Sequence, residues 1–333
     1  MKKLPSVQEI KDRILNHPKV LALINWTKTH SFPGFLGVPI YDVFVFLYNE
    51  IQRESIGTRA NSIAFSFFLS LFPTAIALFT LVPFFLPYLT NSELWSMLPN
   101  GNINFNDTLV AQMREVLPDS QEETIIDFLR ELLTRPRAGL LSFGFFLAIF
   151  FASNGMLTLM RGFEKSYQST FIKRNVFQKR WIAIQLTFLI ALMVLASVVL
   201  IILGDQLIYL LGEYIEHPNL NTVGLTIIRW VVLIALFYFI ISIIYRKGVP
   251  TRKKFTLFST GASLATLLSL LSTLGFSIYI DNFGTYNKLY GSIGTIIVIM
   301  LWIQINASIL LIGFELNASI AVNRDLKAEK NED

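Results

Sequence analysis

The sequence predicts an all-α fold: a polytopic membrane helix bundle of six transmembrane helices, with N- and C-termini cytoplasmic, an N-terminal interfacial helix and a small helical extracytoplasmic cap. Three observations predict it. Hydrophobic residues make up 53% of the chain and charged residues only 15%, against about 25% charged in soluble domains. The apolar residues gather in runs of the roughly 20 residues that a helix needs to cross the hydrocarbon core. Lys and Arg fall overwhelmingly on one side of those runs, and that side is cytoplasmic.

Residues 1–60 read as a cytoplasmic or interfacial N-terminal segment. Met1 to Phe32 has scattered charges and no early apolar core, which argues against a cleaved signal peptide. The stretch Ile40 to Ile51 is apolar over most of a short helix, followed by Arg53 and Glu54. It is too short to span, so it either lies in the membrane interface or packs against the cytoplasmic end of the bundle.

The transmembrane domain is expected over residues 61–318. Span one, Asn61 to Pro87, contains Pro73 and Pro83. Each proline removes a backbone donor and crowds the preceding turn, so the helix should kink or break there, with Ser66, Ser70 and Thr74 placed to satisfy freed carbonyls. Residues 88–137 form the long polar segment, with amphipathic patterns at Phe105 to Leu117 and Thr124 to Leu133, and read as the outer cap. The later spans are expected at Ala138 to Met160, Trp181 to Leu211, Thr222 to Tyr245, Leu257 to Ile280 and Gly291 to Ala318. Residues 319–333 form a cytoplasmic tail, expected to fray from Val322 onward. With the loops assigned alternately, 22 of the 28 Lys and Arg lie on the side of the termini and 5 on the other. The net charge of +5 follows from this bias. Its expected partners are therefore anionic lipid headgroups at the basic loops, with envelope proteins a second class, and not nucleic acid.

Ionisable residues inside spans are costly and mark functional candidates. Three qualify: Asp205, Arg229 and Glu315. Asp205 and Arg229 flank the short outer turn near His217, each roughly 10 Å below the end of its helix at 1.5 Å per residue. They are expected to pair, either to fix helix register or to offer Arg229 to an anionic substrate. Glu315 lies near the cytoplasmic end of span six, where Arg59 and Arg161 are its expected partners, as a structural latch or a gating carboxylate. Asn154, Gln304 and Asn306 sit deeper and read mainly as interhelical hydrogen-bond formers. Gly261, Ala265 and Ser269 recur at four-residue spacing on span five, a face suited to close helix packing.

Other chemistry finds no basis. There are no cysteines and only three histidines, none at ligand spacing. Phosphate-binding loops, nucleophile elbows and HExxH are absent from the sequence, so no enzyme active site, metal or cofactor is expected. Asn317-Ala-Ser319 fits a glycosylation acceptor but falls at the cytoplasmic end.

Several segments together resemble the YihY/BrkB family of bacterial inner-membrane proteins. They are Arg59 to Pro73 with its Leu-Ser-x-x-Pro core; Asn154 to Phe163 followed by a basic loop; Arg229-Trp230 with Tyr245-Arg246 and Val249-Pro250; and Tyr290-Gly-Ser-Ile-Gly294 with Leu301-Trp302 and Gly313 to Asn317. Order and spacing match over about residues 40–320. Phe314 departs from the family's usual Ala, a packing change. The resemblance implies six spans in the inner membrane. It also implies a link to virulence, an older ribonuclease label that these residues do not support, and lipid or lipopolysaccharide movement in the envelope. The function expected is transport or handling of a lipid or anionic envelope substrate, the alternative a non-catalytic membrane scaffold for envelope proteins.

Overall fold

In the computed structural model the described residues are 18–53, 55–90, 138–214, 218–281 and 292–330. Among them are eight α-helices and no strand beyond a single antiparallel bridge, Phe171 to Thr251. The helices are α1 (Pro18–Thr29), α2 (Ile40–Arg53), α3 (Ile56–Thr90), α4 (Ala138–Gly162), α5 (Val176–Tyr214), α6 (Pro218–Ile243), α7 (Thr260–Asp281) and α8 (Ser292–Glu329). Five stretches, in α4 through α8, are long and apolar enough to cross a membrane. The remaining expected span falls on α3. The expected cap at 88–137 lies almost wholly outside the described residues, as does His217.

Side chains set several of the helix starts. Ser55 Oγ accepts from the Thr58 backbone N–H (3.3 Å) ahead of α3, and Ser259 Oγ from that of Ala262 (3.3 Å) ahead of α7. Asn175 and Gln178 form a reciprocal pair at the start of α5, each side-chain oxygen accepting the other's backbone N–H at 2.8 and 3.2 Å. These bonds occupy donors that a helix N-terminus leaves unpaired.

One expectation about helix continuity is corrected in part and one in full. α3 is a continuous helix from Ile56 to Thr90, so it does not break at Pro73 or Pro83. Ser70 Oγ does donate to a carbonyl of its own turn, Phe67 O at 2.6 Å, but Ser66 pairs instead with Thr158 at 3.1 Å. The carbonyl that Pro73 frees is that of Leu69, four residues earlier, and neither bond reaches it. The C-terminal segment, in turn, does not fray at Val322. α8 continues to Glu329, and Val322 is buried.

The chain divides into two compact units. The first comprises residues 1–62, 160–178 and 237–333. Its α2 carries Ile40, Val43, Leu47 and Glu50 on one buried face, the spacing of a helical stripe. With Phe35, Val38, Leu316 and Ile320 the apolar members form one core cluster, so α2 packs on the C-terminal half of α8. Ser319 Oγ donates to Val43 O across this contact (2.7 Å). The opposite face of α2 exposes Tyr41, Phe44, Val45 and Tyr48. The packing reading of this segment is the one the structure shows, and the face turned away from the bundle is apolar and open.

The small-residue face of α7 meets α8. A Cβ on Gly261 would collide with the Gly313 carbonyl, and one on Gly313 would lie 2.6 Å from the Gly261 carbonyl and 2.5 Å from the Tyr245 hydroxyl. The backbones approach this closely only because both positions lack a side chain. Asn317 clamps the end of the contact. Its Oδ1 accepts from Gly261 N (2.8 Å), its Nδ2 donates to Ser259 Oγ (3.0 Å), and the residue is buried, which leaves no acceptor amide for a glycan.

α6 ends in a π-helical turn, Ile244–Gly248, ahead of Val249-Pro250. Pro250 has no backbone N–H to donate back into the helix, and the carbonyls of Lys247, Gly248 and Val249 accept from the Arg174 guanidinium at 3.1, 2.8 and 3.1 Å. Burial pushes the Arg174 guanidinium below its ordinary pKa. Tyr245 is fully buried, donates to Leu310 O (2.7 Å), and stacks edge-on with Phe163, which in turn lies 4.8 Å from Phe314 between ring centres.

The second unit comprises residues 63–159 and 179–236. Within it Gly155 admits the Phe67 ring, and Arg180 donates to Phe150 O (3.2 Å) while lying over the Phe150 ring.

Candidate functional site

The first unit buries a cluster of four charges. Glu315, on α8, has a side chain 0% exposed although it lies in a membrane-length helix. Its Oε1 is shared by two cations, Arg59 Nη2 at 2.7 Å and Lys165 Nζ at 3.0 Å. Lys165, 1% exposed, also reaches Glu50 Oε2 at 2.6 Å. The other Glu50 oxygen accepts from the Tyr167 hydroxyl (2.9 Å), and Arg59 Nη1 donates to Gly162 O (2.8 Å). The charges alternate and cancel.

Four segments contribute: α2 gives Glu50, the first turn of α3 gives Arg59, the loop after α4 gives Lys165 and Tyr167, and α8 gives Glu315. Each is delivered for a local reason. Glu50 follows Leu47 by three residues on the packed stripe of α2. Arg59 sits one turn after the Ser55 cap. The α4 helix stops at Gly162, and turn bonds from Phe163 N to Met160 O (3.1 Å) and Glu164 N to Arg161 O (3.2 Å) swing the chain so that Lys165 enters the interior.

Burial pushes the Glu50 carboxyl up. The hydrogen bonds from Lys165 and Tyr167 and the Lys165 charge outweigh it and hold the group below its ordinary value of 4.5. Burial, followed by the bond to Glu50, raises the Tyr167 phenol, which stays a donor. Glu315 Oε2 is buried and has no hydrogen-bond partner among the described residues.

The structure brings Glu315 and Arg59 together. Arg161 is exposed and takes no part in the pairing with Glu315; Lys165 occupies that role. Sequence reasoning missed Glu50, Lys165 and Tyr167. Glu50 did carry a signal, as a charge in register with a buried apolar stripe, whereas Lys165 is one of many cations in a basic loop. Asp205 lies on α5 with its side chain outside the described residues, so its pairing with Arg229, a half-buried residue of α6, also lies outside them. Asn154 and Gln304 are half-buried on α4 and α8. Asn306 donates to Trp302 O of its own helix (2.9 Å), so that bond holds no second helix. Among the described residues, no group of three or more His, Asp or Glu is arranged to hold a metal ion.

Comparison with known proteins follows the same lines. The ribonuclease-like protein YfkH of Bacillus subtilis (strain 168) is 26% identical over 283 residues, covering 85% of this chain and 96% of its own length. A UPF0761 membrane protein of Pseudoalteromonas atlantica is 26% identical over 288 residues (86% and 88%), and the UPF0761 membrane protein IL2447 of Idiomarina loihiensis is 28% identical over 251 (74% and 83%). No solved structure matches the chain. The family described as virulence factor BrkB matches residues 47–333, a range that contains Glu50, Arg59, Lys165, Tyr167 and Glu315. With five membrane-length helices and that match, the chain is a multi-pass protein of the bacterial inner membrane and belongs to the virulence factor BrkB family.

Proposed function

We propose that the protein transports or handles a lipid or other anionic envelope substrate across the membrane, with the Glu315–Arg59–Lys165–Glu50 cluster as its inner gate. One observation carries the reading: Glu315, fully buried in a membrane-length helix, is held by two cations from two other segments. A buried ion cluster of this kind is a poor means of stabilisation, because apolar residues of similar size serve as well or better. Charges retained in such a place favour a use for them. When the cluster opens, Arg59 and Lys165 become available to the negative group of a substrate, and re-forming the internal pairs releases it.

Catalysis is not part of the reading. The cluster sets carboxylates against cations that neutralise them, and it supplies no nucleophile with an activating base. The test is movement of a fluorescent anionic phospholipid between the leaflets of liposomes that hold the purified protein. Movement above that of protein-free liposomes supports the reading; none from protein shown to be folded contradicts it.

A further inference from the structure

A second polar feature lies in the same unit, apart from the charge cluster. The segment Lys253 to Ser259 precedes α7 and forms one side of an open groove of about 430 Å³. Leu36 borders it from the loop before α2, and Asn317, Ile320 and Arg324 contribute from α8. Among the described residues, no carboxylate lines it. Among the described residues, neither the Lys253 nor the Lys254 ammonium has a hydrogen bond or ion pair, and both side chains are exposed. Arg324 spends Nε and Nη2 on Asp325, at 2.9 and 2.8 Å.

The groove is amphipathic in a particular way. Leu36 (58% exposed) and Phe258 (76%) stand open beside the cations. Leu36 holds a left-handed backbone, φ 54°, in a loop tied to α7 by the Thr260 hydroxyl, which donates to Gly34 O at 3.2 Å. The Phe258 ring stacks on Tyr238, 5.8 Å between centres. The polar groups of the floor are already used: Asn317 by Gly261 and Ser259, and Ser259 by Ala262. The floor is therefore fixed, and the unsatisfied chemistry is cationic at the rim and apolar beside it.

Position decides what such a groove fits. Thr260 opens a helix of membrane-spanning length, so the groove lies where that helix leaves the hydrocarbon, at the level of the headgroups. Unpaired lysines at that level attract anionic lipid, and exposed apolar side chains next to them suit the top of its acyl chains. We propose that this groove binds the headgroup of an anionic phospholipid, its phosphate between Lys253 and Lys254 and its glycerol end against Phe258 and Leu36. The site does not depend on the transport reading, since it can hold an annular lipid in a protein that moves none.

The experiment is native mass spectrometry of the protein in nonionic detergent doped with equal amounts of phosphatidylglycerol and phosphatidylcholine. The wild type is expected to retain phosphatidylglycerol in preference to phosphatidylcholine. Lys253→Gln/Lys254→Gln should lose that preference at least about tenfold, because each cation near the surface strengthens anionic lipid binding severalfold. Lys327→Gln/Lys330→Gln, at lysines that border a different groove, should keep it. Equal retention of the two lipids by the wild type overturns the proposal, as does an unchanged preference in the Lys253/Lys254 variant. Equal loss in both double variants overturns it in favour of diffuse charge. Displacement of the lipid by millimolar inorganic phosphate overturns it in favour of a soluble anion.

Discussion

At the scale of single residues, Glu315 is the side chain on which most depends. Replacing it with Gln leaves Arg59 and Lys165 facing an uncharged partner in a buried site, and breaking one member of a buried pair costs about 3 kcal/mol or more. Thermal unfolding in detergent should show Glu315→Gln destabilised on that scale. Arg161→Gln, at an exposed position outside the cluster, should change stability by no more than about 0.5 kcal/mol. Glu50 adds a pH dependence. Its folded pKa is depressed, so its contribution to stability is fully present above the ordinary value of 4.5 and is lost as pH falls through the lower folded value. The melting temperature should therefore drop as pH is taken below about 4.5, and a Glu50→Gln variant should show a flatter profile over that window.

At the scale of elements, the sequence announced some contacts and concealed others. The four-residue spacing of Gly261, Ala265 and Ser269 marked the face of α7 that does meet α8, because close backbone approach requires small residues at helical period. Gly261→Ala should destabilise the protein strongly, since the added carbon would strike a backbone carbonyl that cannot swing away. Gly275→Ala, on the same helix with open space around it, should be neutral or stabilising by about 0.5–1 kcal/mol from helix propensity alone. Melting curves of the two variants check the contrast. The apolar stretch Ile40 to Ile51 was legible as a short helix, but its packing of Ile40, Val43 and Leu47 on α8 was not.

Other features of the elements were not legible. α3 continues past its prolines to Thr90, which proline's low helix propensity does not register. The continuation of α8 to Glu329 depends on tertiary contacts: Ser319 with Val43 O, and Asp325 with the Thr170 hydroxyl at 2.9 Å. Lys165 escaped notice because a lysine in a basic loop looks the same in sequence whether it is solvated or, as here, buried between two carboxylates.

At the scale of the whole molecule, the apolar runs and the cation bias identify a membrane protein without a structure, and the family match agrees. A role does not follow from that architecture, because a fold hosts many functions and the function belongs to its sites. The charge cluster ties α2, the first turn of α3, the loop after α4 and α8 together. Any motion that separates α8 from α3 must exchange these internal pairs for others. That coupling is what makes the cluster a gate in this account, rather than a set of fastenings.

The most direct test compares leaflet-to-leaflet movement of a fluorescent anionic phospholipid by the wild type, Lys165→Gln and Arg161→Gln, each confirmed folded in the same liposomes. The account predicts movement by the wild type and Arg161→Gln, and a loss of roughly tenfold in Lys165→Gln, the rate equivalent of one charge-assisted hydrogen bond. An unchanged rate in Lys165→Gln, or a folded wild type that moves no lipid, would contradict it.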